Sequence, residues 1–206
     1  MEGFYPDVLD KIGLALAVGQ SAKTEIVKEF GVGEELAMNI LGWDEDRLVC
    51  VAQMDLSWDS DEDEKISRTA DACLVMRRGF HCDSFTLIAE GYVSREPDET
   101  RDFDLAEEYA NGAASVNECL TINHVESDGV SLCAVPFRVA FGREVEWGVI
   151  MHSEDASILR NDGYIALSQK MLSIPKADLP EERDAYHLAM AVGLHESSGY
   201  FMQYDL

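Results

Sequence analysis

The residues most able to do chemistry are Asp55, Glu90 and His124. Asp55 lies near the end of the run RLVCVAQMDL (47–56), Glu90 interrupts SFTLIAEGYV (84–93), and His124 lies late in NECLTINHVE (117–126). Two carboxylates and an imidazole can hold a divalent ion or share acid–base work, provided that they converge. A carboxyl buried at such a position has a raised pKa unless a cation pairs with it. The spacing offers a small metal-assisted hydrolase with Asp55, Glu90 and His124 as its catalytic set. A plainer account is also open: Glu90 pairs with Arg77 or Arg95, Asp55 caps the next element, and His124 sits on a wetted face.

Other catalytic and ligand motifs are missing. Gly31-Val32-Gly33 lacks the third glycine and the lysine of a phosphate loop, and His195-Glu196 runs into serines rather than completing a zinc motif. Asp59 to Glu64 has no glycine at the sixth position of a calcium loop. No dedicated metal site and no cofactor is expected. Cys82 stands between His81 and Asp83, but neighbours in a strand or turn point different ways and do not make a relay.

Charge narrows the partners. The 206 residues hold 40 acids against 16 bases, a formal charge of -24. Nucleic-acid binding needs clustered lysine and arginine, and so does adhesion to an anionic membrane, so neither is expected. No apolar run is long enough to span a bilayer. Ile12 to Val18 lies behind Asp7, Asp10 and Lys11 and lacks the basic start of a signal peptide. Five cysteines without a CxxC pair read as buried thiols of a reducing compartment, so a cytoplasmic location is expected.

Three aromatics adjoin loops or acids: Trp43, Trp58 and Tyr92. With Asp59, Asp61 and Asp63 of the densest acidic run they form the expected partner-binding set, since aromatic side chains concentrate interface energy. Trp147 alternates with Glu144 and Glu146 and reads as core. The acidity also fits a chain that imitates a phosphate backbone and inhibits a DNA-binding protein, if its carboxylates line one face.

These residues must be positioned by elements. Asp7 to Val18 has a helical stripe, Gly19 and Gln20 break it, Ser21 to Phe30 is a second helix, and Glu34 to Leu41 a third. Residues 47–56 and 84–93 read as strands flanking a helix that ends at Arg77, Arg78 and Gly79, which predicts a parallel β-α-β unit over 47–93. Asn117 to Glu126 and Val130 to Phe141 predict a hairpin through Ser127, Asp128 and Gly129. A turn at Gly142 and Arg143 leads to an alternating strand over 144–151, completing an antiparallel meander over 117–151. Glu154 to Ile174 reads as two helical pieces, and Asp178, Pro180 and Glu181 start a last helix.

The expected fold is a single α/β or α+β domain with a mixed, twisted sheet of about five strands and helices at both ends. Residues 1–42 form a helical N-terminal segment packed on or appended to a core of 43–206. The favoured function is an acidic, non-enzymatic interaction or accessory protein binding another protein, with a homo-oligomer as a second arrangement.

Overall fold

Met38 to Asp44 forms a strand that takes over the second half of the helix expected over Glu34 to Leu41, and that one difference reorganises the architecture. In the computed structural model, which describes residues 8–31, 33–54, 62–94, 109–112, 114–152, 157–158, 162–178 and 201–203, Met38–Asp44 is β1 and Arg47–Met54 is β2. They make a hairpin through Glu45 and Asp46, with Asp44 opposite Arg47 and Glu45 in the left-handed region at φ 55°. Leu41 and Trp43 face one side of the sheet and Ile40 the other, and all three are buried. A strand buried on both faces has an unbroken apolar run, and periodicity cannot separate that from a short helix.

Helix α1 (Val8–Phe30) runs unbroken through Gly19. Gly19 is a point of close packing: a Cβ there would lie 2.7 Å from Leu120 Cδ2 and 2.9 Å from Ile88 Cγ2. The helix stops at Gly31, whose φ of 90° suits glycine and whose N–H donates back to the Val27 carbonyl. Helix α2 (Glu62–Phe80) follows the first hairpin. It ends with His81 in the left-handed conformation at φ 59°, two residues later than the expected glycine stop.

The remaining strands are β3 (Ser84–Ser94), β4 (Val116–Val125), β5 (Val130–Ala140), β6 (Glu144–Trp147), β7 (Met151–His152), β8 (Ser157–Ile158) and β9 (Phe201–Gln203). The sheet order is β6-β5-β4-β3-β1-β2-β9, with β7 pairing β5 and β8 pairing β3. Every described pairing is antiparallel. The expected parallel unit over 47–93 is therefore absent. β2 and β3 point the same way only because β1 lies between them and opposes both. The main sheet path has seven strands rather than about five, because β1 and β9 join it.

The hairpin of β4 and β5 forms as its turn residues predict, with Glu126 N–H on the Gly129 carbonyl at 2.9 Å. The expected strand over 144–151 is interrupted at Gly148 to Ile150, between β6 and β7. Ser157–Ile158 is strand, and the helical part of the following segment is α3 (Asp162–Leu172). The expected last helix lies outside the described residues.

Helix α1 lies across β3, β4 and β6 on one face of the sheet. Its Ile12, Ala15 and Leu16 pack with Leu41, Trp43, Ile88, Leu120, Ile122 and Val135. Helices α2 and α3 pack together on the opposite face, over Ile40, Cys50, Met54, Phe85 and Leu87. The fold is mixed α/β with three α-helices among the described residues. None of them is long and apolar enough to cross a membrane.

Candidate functional site

The face of the sheet under α1 holds two polar assemblies, one near each end of the helix. At the first end, Trp43 Nε1 donates to Thr86 Oγ1 at 2.9 Å, and Thr86 Oγ1 lies 2.8 Å from His124 Nδ1. Thr86 Oγ1 accepts the Trp43 indole N–H and keeps both a hydrogen and a second lone pair for His124 Nδ1, so either ring nitrogen, Nδ1 or Nε2, can carry the imidazole proton. Nε2 has no hydrogen-bond partner among the described residues; Glu126 Oε1 stands 3.8 Å away. Burial, and then the Lys11 charge, push the His124 pKa down to about 4, so the ring is neutral at neutral pH. Lys11 stays over the Trp43 ring at 5.5 Å and donates to the Glu45 carbonyl.

At the other end, Lys23 reaches from α1 into the sheet. Its Nζ lies 2.8 Å from Glu90 Oε1, donates to the Glu34 carbonyl at 2.8 Å, and sits 5.0 Å above the Phe137 ring. Glu90 also accepts the Leu36 backbone N–H at 2.6 Å. Both side chains are mostly buried, at 6% and 14% exposure. The cation that pairs with Glu90 is therefore Lys23, where the sequence suggested Arg77 or Arg95. Arg77 lies with the opposite core and donates to the carbonyls of Cys82 and Ile174.

Two more carboxylates surround this pair. Burial, and then the neighbouring Glu90, hold Glu35 above its ordinary pKa. Burial raises Glu118 against the opposing pull of Lys23. Tyr92 faces Glu118 across the β3–β4 ladder, and the Tyr109 hydroxyl bonds to Glu118. The rings of Tyr92 and Tyr109 stand 5.1 Å apart, and burial raises both phenols. Three carboxylates, Glu35, Glu90 and Glu118, thus lie around Lys23 beside two tyrosines, and Lys65 adds a second positive charge near Glu35.

Next to this group the sheet forks. β4 and β5 pair from Val125 opposite Val130 up to Cys119 opposite Pro136 and no further. Pro136 has no N–H to continue the ladder. Beyond it, Phe137 to Ala140 pair with β6 on their other side, while Val116 to Glu118 pair with β3. The Gly148 N–H takes the Pro136 carbonyl at 2.7 Å and secures the divergence. The gap is a crevice of about 280 Å³ lined by Tyr109, Asn117, Glu118, Phe137, Arg138 and Val139.

Of the expected catalytic set, Glu90 and His124 are not brought together. Glu90 lies opposite Leu120 and His124 opposite Thr86, so the two are four residues apart along β3. At the usual strand rise that is roughly 13 Å. Asp55 lies outside the described residues, as do Trp58, Asp59 and Asp61; Asp63 falls in the first turn of α2. Among the described residues no group of three histidine, cysteine or acidic side chains is placed to hold a metal ion. Trp43 is 1% exposed and bonded to Thr86, so it serves the core rather than a partner surface. Tyr92 is the expected partner residue that lies at the assembled site.

Sequence reasoning missed Lys23, Glu35, Tyr109, Glu118 and the fork. Pro136 inside an otherwise apolar strand was the available signal, because an interior proline marks a place where pairing stops. No known protein family, no curated protein and no solved structure matches this chain.

Proposed function

We propose that this chain is an acidic, non-enzymatic accessory protein that binds another protein, and that the partner presents a basic surface to the group around Lys23. The observation that carries this reading is the imbalance at that group. Glu35, Glu90 and Glu118 outnumber Lys23 and Lys65, the lysines that act on them, and burial raises the pKa of Glu35 and Glu118. A cation supplied from outside relieves that repulsion. Tyr92 and Tyr109 add rings of the type that concentrate binding energy at interfaces.

The chain's net charge of -24 supplies long-range attraction for a basic partner and speeds its encounter. The five cysteines are free and buried, which fits service in a reducing compartment such as the cytoplasm. Neither feature names the partner. A homo-oligomer would have to bring two strongly negative chains together, which favours a different, basic protein at this site.

The test is affinity capture from the native cell at low and high salt, with the wild-type chain and a Tyr92→Ala/Glu118→Gln variant. The reading expects a basic protein that is retained by wild type at low salt, released by high salt, and lost with the variant. Equal capture of the same proteins by both chains at both salts overturns it.

A further inference from the structure

We infer that the fork between β4 and β5 is the anchor site for a single arginine side chain of the protein partner. This rests on the reading above that the partner is a basic protein and assigns the atom group it inserts. Size decides first. Pockets for whole small molecules run from about 300 to 1,000 Å³, and a crevice of about 280 Å³ falls below that range. It suits one long side chain better than a cofactor.

The walls decide the chemistry. Phe137 and Tyr109 are aromatic residues of the lining, and Glu118 adds a carboxylate. Arg138 also lines the crevice, but its guanidinium is held by Glu146, with Nε 2.6 Å from Oε2. The carboxylates of Glu35 and Glu90 lie beside it and, with Glu118, outnumber the opposing Lys23 and Lys65. An anionic guest is therefore disfavoured and a cation is drawn in.

Arginine fits better than lysine. Its guanidinium is planar, stacks on aromatic rings, and is more weakly hydrated than an ammonium. It carries five donors and no acceptor, so it can meet Glu118 and backbone carbonyls together. The fork supplies such carbonyls in its setting, because β4 and β5 stop pairing with each other past Cys119 and Pro136. Along an antiparallel strand alternate residues turn their backbone groups to each side, so both edges direct some into the gap.

The test uses the full chain, isotopically labelled, titrated with three capped tripeptides, Gly-Arg-Gly, Gly-Lys-Gly and Gly-citrulline-Gly. Citrulline keeps the shape of arginine and removes its charge. The arginine peptide is expected to shift the amides of Asn117, Glu118, Phe137 and Tyr109 saturably. Citrulline should bind at least roughly tenfold more weakly, lysine should fall between, and Glu118→Gln should weaken the arginine peptide by about the same factor. The unperturbed remainder of the amide spectrum verifies that the variant is folded.

Indistinguishable binding of the arginine and citrulline peptides overturns the inference, as does a Glu118→Gln variant that binds arginine unchanged. In either case, if the native partner is still captured in a salt-sensitive way and lost with Tyr92→Ala, the basic-partner reading stands and only the anchor falls. If capture is also indifferent to salt and variant, both fall.

Discussion

Lys23 and Glu90 form a 2.8 Å ion pair between α1 and β3, and the lysine side chain is only 6% exposed. The pair ties the C-terminal half of α1 to the sheet and sets the charge of the candidate site. Removing one partner strands the other charge in a poorly hydrated place. Lys23→Ala is expected to destabilise the fold by about 3–5 kcal/mol, read from denaturant midpoints. Replacing both residues together, Lys23→Met with Glu90→Leu, should recover most of that loss. A single variant as stable as wild type contradicts the described pair.

Two glycines of α1 should respond to alanine with opposite signs. At Gly19 an added Cβ meets Leu120 and Ile88 inside 3 Å, so Gly19→Ala should cost about 1–3 kcal/mol through overpacking. At Gly13 nothing lies within 4 Å of the added Cβ, and Gly13→Ala should stabilise by up to about 1 kcal/mol through helix propensity. Thermal unfolding of the two variants tests whether α1 crosses the sheet at Gly19.

His124 should make stability depend on pH in a defined window. Its pKa is lowered from 6.5 to about 4 by burial and by Lys11, so the unfolded chain binds the proton more readily. The neutral ring's contribution is complete above pH 6.5 and is lost as pH falls from there through about 4. It amounts to roughly 3 kcal/mol in all. Glu35 and Glu118 act in the opposite sense, because their raised values favour the folded protein as they protonate. The difference between wild type and His124→Gln isolates the histidine, and a difference that is flat with pH contradicts its burial as a neutral base.

Native thiols should be nearly inert. All five cysteines are buried, and burial pushes Cys73 and Cys119 up to about 12 and Cys133 to about 11. Thiolate is the reactive form, so an aromatic disulfide reagent should label the native protein very slowly and the denatured protein at five sites. Rapid labelling of the native chain contradicts the core as described.

What the sequence revealed follows from how local each signal is. The β4–β5 hairpin was legible because Ser127, Asp128 and Gly129 make a turn whatever surrounds them. β1 was not, because Ile40 to Trp43 is apolar on both faces and its strand character comes from pairing with β2 and β3. The parallel unit failed for the same reason, since it required 47–56 and 84–93 to be neighbours with nothing between them. Glu90 was found from its place in an apolar run, but its partner Lys23 is 67 residues away and comes from the helix crossing. Trp43 looked exposed beside three acids, and its burial likewise depends on α1 lying over it.

On this proposal the carboxylates around Lys23 attract a basic protein. Its most direct test is the association rate of the captured partner as a function of ionic strength, for wild type and for Glu35→Gln/Glu118→Gln. The wild-type rate should fall steeply as salt is added, and the variant should associate more slowly with a visibly shallower dependence. Rates that coincide for the two chains and do not change with salt would contradict it.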